Sequence, residues 1–154
     1  MKARIAKVFD VLQGPRLFGF LWHILVGVSR LTESEIEAAK LVLGEKSIKY
    51  QSVRVAQGRL LTPIFRFGPG RAFTTFHTVN LPRSGHHSRE HLELLIHELV
   101  NVYQFERIGT DYIFQSLRAQ QAGGYFYDSW PGLNKWRADG KHFDDYNREQ
   151  QGQI

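Results

Sequence analysis

The sequence contains no cysteine. That absence excludes disulfide staples, thiolate-ligated zinc and a thiol nucleophile, and it leaves the redox compartment open. Long apolar runs are scarce too. The longest, Leu17 to Val28, covers about a dozen residues, short of the ~20 that a membrane-spanning helix needs. No run of five basic residues occurs, although 20 Lys and Arg against 15 Asp and Glu give a net charge of +5. Cations scattered in this way keep a protein soluble and argue against a nucleic-acid partner. No internal repeat or low-complexity tract is present. Gly68-Pro69-Gly70 lacks the following Lys-Ser/Thr of a phosphate cradle and reads as a turn.

What is present suits a folded domain. The 154 residues are 42% hydrophobic and 23% charged, and a chain of this size buries roughly 68–70% of its unfolded surface. The expected location is the cytoplasm, with secretion or membrane association as alternatives. The Leu17–Val28 run bears on that choice. Lys2, Arg4, Lys7 and Arg16 precede it, as before a signal-peptide core, but the leader is long, carries Asp10, and His23 interrupts the run. A buried or partner-facing helix is the plainer reading. Membrane contact through residues 17–28 is the alternative.

Periodicity supplies the rest of the outline. Ile5, Val8, Phe9 and Leu12 predict a helix over 4–13 that ends at Gly14-Pro15. Thr32 with Glu35 three residues on is a capping box, and Ile36, Ala39 and Leu43 share a face up to Gly44. Val53 and Val55, then Ile64, Phe65 and Phe67, then Ala72 to Leu81 read as three short strands of an antiparallel sheet. Ser88 to about Arg107 is the longest helix, striped by Leu92, Leu95, Ile96, Leu99, Val102 and Tyr103. Another helix spans Asp111 to Ala122, an aromatic loop or lid fills 123–140, and Tyr146 to Ile154 closes the chain as a short helix. The fold class is therefore α+β: a small antiparallel or mixed sheet packed on one long helix, with additional helices.

The long helix carries the chemistry. It contains His97-Glu98-Leu99-Val100-Asn101. In an H-E-x-x-H helix the two histidines lie on one face and bind one zinc ion, while the glutamate acts as general base on a metal-bound water. Here the first histidine and the glutamate are present, and Asn101 occupies the second ligand position. An amide oxygen is a neutral, hard ligand and a poor match for zinc. A strand ahead of such a helix offers an edge along which a peptide can lie.

Four segments in order resemble a known family. Leu94 to Gln104 (LLIHELVNVYQ) is similar to the active helix of bacterial zincin-like domains, those related to the metallopeptidase-like core module of contractile injection systems and often labelled Vgr-related. Leu31 to Gly44, Tyr50 to Val55 and Tyr146 to Gln151 resemble that group's opening helix, a following strand and its terminal helix. The resemblance covers residues 31–154 and leaves 1–30 outside as an N-terminal helical segment. It implies a zincin-like fold with a third metal ligand from the terminal helix, which falls on Glu149. The implied site is then His97, Asn101 and Glu149 as metal positions with Glu98 as the catalytic base. Because Asn101 breaks the set, the expectation is weak or absent zinc and a non-catalytic module that binds a protein or peptide. An active peptidase that recruits a replacement ligand such as His142 is the alternative. His86, His87 and His91 read as a solvated helix end. Tyr103, Tyr112, Trp130 and Trp136 are candidates for lining a peptide cleft, with core packing the plainer role for all but the loop tryptophans.

Overall fold

The computed structural model describes residues 2–67, 71–121 and 129–152; the side chains of residues 2–4, 59, 67, 120, 121, 129, 130 and 149 lie outside that description. Two helices open the chain, α1 (Lys2–Val11) and α2 (Gly14–Val26), and a two-residue strand, β1 (Val28–Ser29), follows directly. Then come α3 (Glu33–Leu43), β2 (Arg54–Ala56), α4 (Thr62–Phe67), β3 (Phe73–Thr75) and β4 (Thr78–Asn80). The long helix α5 (Leu92–Ile108), α6 (Asp111–Gln121), α7 (Ser129–Ala138) and the one-turn α8 (Arg148–Gln151) complete it. No helix among the described residues is long and apolar enough to cross a membrane.

The four strands form one sheet in the order β1-β2-β4-β3. β1 runs antiparallel to β2, and β3 antiparallel to β4, whereas β2 and β4 are parallel. The sheet is thus mixed. Alternation along each strand sorts side chains to two faces. Val53, Val55, Val79 and Leu81 meet Leu95, Leu99 and Val102 of α5 and Ala39 of α3 in the main core. Each of those three α5 side chains is essentially inaccessible, so each contributes roughly 2 kcal/mol of transfer free energy. On the opposite face, Ala56 packs with Val26 of α2 and Leu61 in a smaller cluster flanked by Trp22, Phe65 and Phe73.

Three sequence expectations change. Residues 62–67, read as a strand, are α4. Pro63 sits in its first turn, where the missing N–H costs nothing, and the apolar spacing there does not distinguish the two periods. The 72–81 run is a hairpin, turned at Phe76-His77, and residues 129–138, read as loop, are α7. Pro131 again lies in the first turn of its helix. Gly68-Pro69-Gly70 lies outside the described residues.

The start of α5 also moves, from Ser88 to Leu92. Ser88 is buried and held in turns, its N–H donating to the Gly85 carbonyl and its carbonyl accepting from His91. The reason is Arg89. Its Nε donates to Glu35 Oε1 at 2.6 Å and one Nη to Glu35 Oε2 at 2.6 Å, and it also donates to Ser29 Oγ and the Arg30 carbonyl. Glu35 meanwhile accepts from the Thr32 N–H in the capping box of α3. One ion pair therefore ties the loop ahead of α5 to α3 and to the end of β1.

Burial alone would raise the Glu35 pKa, but the Arg89 guanidinium and the Thr32 donors outweigh it and hold the carboxyl below its ordinary range. A carboxylate depressed in the folded state stabilises above its unfolded pKa, about 4.3, and that contribution is lost as pH falls through the lower folded value. His23 is lowered as well, first by burial and then by the nearby Arg54. A histidine with a lowered pKa stabilises above about 6.5, and its contribution fades as pH falls through the folded value. Stability therefore declines on acidification, through His23 first and Glu35 later. Urea midpoints measured from pH 7 downward should fall in that order, and His23→Gln should flatten the upper part of the decline. Arg89→Ala should cost about 1–3 kcal/mol by the same measurement, a value between exposed and buried pairs because both side chains keep some solvent contact.

Candidate functional site

The rotation of α5 follows from its core stripe. With Leu95, Leu99 and Val102 against the sheet, residues 97, 98 and 101 fall to one side of that stripe, toward the β3 edge. The pairing of Thr74 with Val79 puts Thr74 on the α5 face of the sheet. The two elements meet there. Thr74 Oγ1 lies 2.6 Å from Glu98 Oε2 and 3.1 Å from the Glu98 carbonyl oxygen. Glu98 is 4% exposed, so its carboxylate sits in a setting where hydrogen-bond donors matter.

His97, Glu98 and Asn101 line a cleft of about 300 Å³ with Ala72 to Thr75 on one wall and Tyr112, Ile113, Ser116 and Leu117 of α6 on the other. β3 is the outer strand of the sheet, and so the cleft runs beside an edge. Part of that edge is already engaged, because the Tyr112 hydroxyl donates to the Thr74 carbonyl at 2.8 Å.

Each expected position can now be placed. His97 Nδ1 lies 2.8 Å from the Gly152 carbonyl. A carbonyl only accepts, so Nδ1 carries a proton and donates it. This is how a backbone carbonyl orients a metal-binding imidazole, and it equally well holds a structural one. Asn101 Nδ2 donates to Glu98 Oε2 over 3.3 Å, a long bond. The amide therefore leans on the glutamate of its own motif. Glu149 belongs to α8, while its side chain lies outside the described residues. His142 is exposed and does not line the cleft.

The helix pair consequently presents one imidazole and one amide, a donor set that does not match the two-histidine face of a zinc peptidase. Among the described residues no group of three His, Cys, Asp or Glu side chains is placed to hold a metal ion. His87 and His91 precede α5 rather than riding on it, so the helical i, i+4 relation between them does not apply. Of the candidate aromatics, Tyr112 lines the cleft. Tyr103 faces Phe143, Trp136 packs on Tyr146 beneath Lys141, and the Trp130 side chain lies outside the described residues.

The terminal turn reaches His97 through a buried glutamine tie. Gln104, on α5, donates to the Arg148 carbonyl and to Gln151 Oε1, each at 3.0 Å. Arg148 also donates to Gln151 Oε1 at 2.9 Å and to Gln115 of α6 at 2.8 Å. Asn147 and Gln150 cap α8 reciprocally. Gln104 and Gln151 are both 1% exposed, and both belong to the segments that carry the family resemblance. Thr74, Tyr112 as an edge donor, and Gly152 join the site without having been expected from the sequence. Only the alternation of residues 73–80 pointed to Thr74, and nothing in the sequence pointed to Gly152.

No protein-family model, curated protein or solved structure matches the chain.

Gly152 can be tested directly. A Cβ built there would lie 2.6 Å from both Cε1 and Nδ1 of His97, closer than van der Waals contact permits. Gly152→Ala should swing the imidazole off the carbonyl and cost about 1–3 kcal/mol by overpacking. Histidine ring NMR should show the His97 tautomer signals move while those of the other histidines stay in place.

Proposed function

We propose that this chain is a degenerate zincin-like module that holds a protein or peptide segment in the cleft between β3 and α5 without hydrolysing it. The observation that supports this reading is Asn101, which stands at the second ligand position and gives its amide to Glu98. A general base engaged by Thr74 and Asn101 inside a site with one helix imidazole is arranged for fixed hydrogen bonding, not for delivering a water. The edge position of β3 favours an extended segment as the occupant, since an outer strand offers backbone donors and acceptors. The resemblance to core modules of contractile injection systems makes a structural role in a bacterial secretion assembly the natural setting.

A second reading keeps metal chemistry. The Gly152 carbonyl holds His97 by Nδ1, as a backbone carbonyl holds a metal-binding imidazole, so a weakly held zinc with Glu149 and a replacement ligand, and Glu98 as base, is the alternative.

Metal analysis separates the two. The native protein should purify without stoichiometric zinc, and its melting temperature should ignore chelators. Asn101→His should gain a zinc ion and a chelator-sensitive melt, because binding to the folded state alone raises stability. Stoichiometric zinc in the native protein, with peptide cleavage abolished by Glu98→Gln, would sink the non-catalytic reading.

A further inference from the structure

The first two helices are inside out. A surface helix ordinarily turns its apolar stripe to the core and its polar residues to water. On α2, the residues toward the sheet include Trp22 and His23, whose ring nitrogens meet Asn80 Oδ1 at 2.8 Å and Thr78 Oγ1 at 2.7 Å. The opposite side is Leu17, Phe20, Leu21, Ile24 and Leu25, each between 52% and 67% exposed. On α1, Ala6 is buried and Asp10 turns inward to accept from the Thr110 backbone and hydroxyl. Ile5, Val8 and Leu12, which fall on one stripe, are 59%, 59% and 75% exposed. Trp22, His23 and Asp10 thus turn polar groups to the protein, and each helix leaves an apolar face to its surroundings. Such a face exceeds the scattered exposure that a soluble surface tolerates.

Charge identifies the occupant. Asp10 is the only acidic residue among the first thirty, and it is engaged with Thr110. Among the described side chains, the exposed charges of the two helices are cationic: Lys7 on α1 and Arg16 at the start of α2. An anionic lipid surface satisfies both features at once, because it accepts apolar side chains below its headgroups and cations at their level. At thirteen residues, α2 is about 20 Å long, too short to span a bilayer and long enough to lie in its interface.

We propose that the α1–α2 hairpin docks this protein on the surface of an anionic membrane, with Leu17, Phe20, Leu21, Ile24 and Leu25 entering the acyl boundary and Lys7 and Arg16 meeting the headgroups. The cleft reading is independent of this assignment.

Co-sedimentation of the full chain with phosphatidylcholine vesicles, with and without phosphatidylglycerol, tests it. The native protein should bind the anionic vesicles, bind pure phosphatidylcholine more weakly, and release as salt is raised. Leu21→Glu should lower partition by about tenfold or more, and Arg16→Gln by about fivefold. Leu17→Ser, at another exposed position, decides the matter if Leu21→Glu fails to show the native circular-dichroism melt. The proposal is overturned if the native protein stays in the supernatant with both vesicle types, or binds both equally without regard to salt. Well-folded Leu21→Glu and Leu17→Ser variants that partition like the native protein would also overturn it. So would a native dimer that Leu21→Glu converts to monomer, which would give the face to a second copy.

Discussion

Everything at the cleft depends on how α5 is rotated against the sheet. Leu95, Leu99 and Val102 are inserted between Val55, Val79 and the α3 face, and turning the helix by one residue would expose at least one of them. That penalty fixes which side chains look toward β3. His97, Glu98 and Asn101 owe their place to residues that take no part in any chemistry. Position 101 can therefore change without disturbing the scaffold, since none of the core residues senses whether it is histidine or asparagine.

Elements with local signatures were legible in the sequence. The Thr32–Glu35 box, the stop at Gly44 and the body of α5 are written in short-range patterns that packing then reinforces. The adjacency of His97, Glu98 and Asn101 was legible for the same reason, because helical spacing alone brings them together. Long-range facts were not. The parallel pairing of β2 with β4 depends on strand order, which three-residue strands do not encode. Ile64, Phe65 and Phe67 satisfy either period, and Pro63 tips them to helix only once its place in the first turn is known. Arg89 shifted the start of α5 through partners 54 to 60 positions away, a separation that no local pattern reports. Gly152 is in the same class, since its importance lies in the ring that approaches it.

The molecule divides its apolar residues unequally. The α5 side of the sheet is a conventional core, closed by α3. The α2 side is a smaller cluster supported by polar contacts: Asn80, fully buried, accepts from Trp22 and donates toward Phe73, Thr75 and Thr78 oxygens. Those bonds attach the N-terminal hairpin without using up its apolar face. An amphipathic attachment of the usual kind would have consumed that face in the interior, and the arrangement found keeps it available at the surface.

The turn between β3 and β4 has a consequence for how this protein can change over time. Phe76 holds φ at 55°, a conformation that costs a non-glycine residue about 1–3 kcal/mol. It is retained among Phe9, Phe18 and Phe105, with ring centroids 5.2 to 6.2 Å away. Glycine would relax the backbone there and forfeit all three neighbours. Adding or deleting one residue would be worse, because a one-step slip of β3 turns Thr74 to the other face of the sheet and away from Glu98. The turn can thus tolerate substitutions that keep an aromatic ring, and it forbids insertions. Lineages of this chain should vary in the composition of the cleft long before they vary in the length of the hairpin beside it.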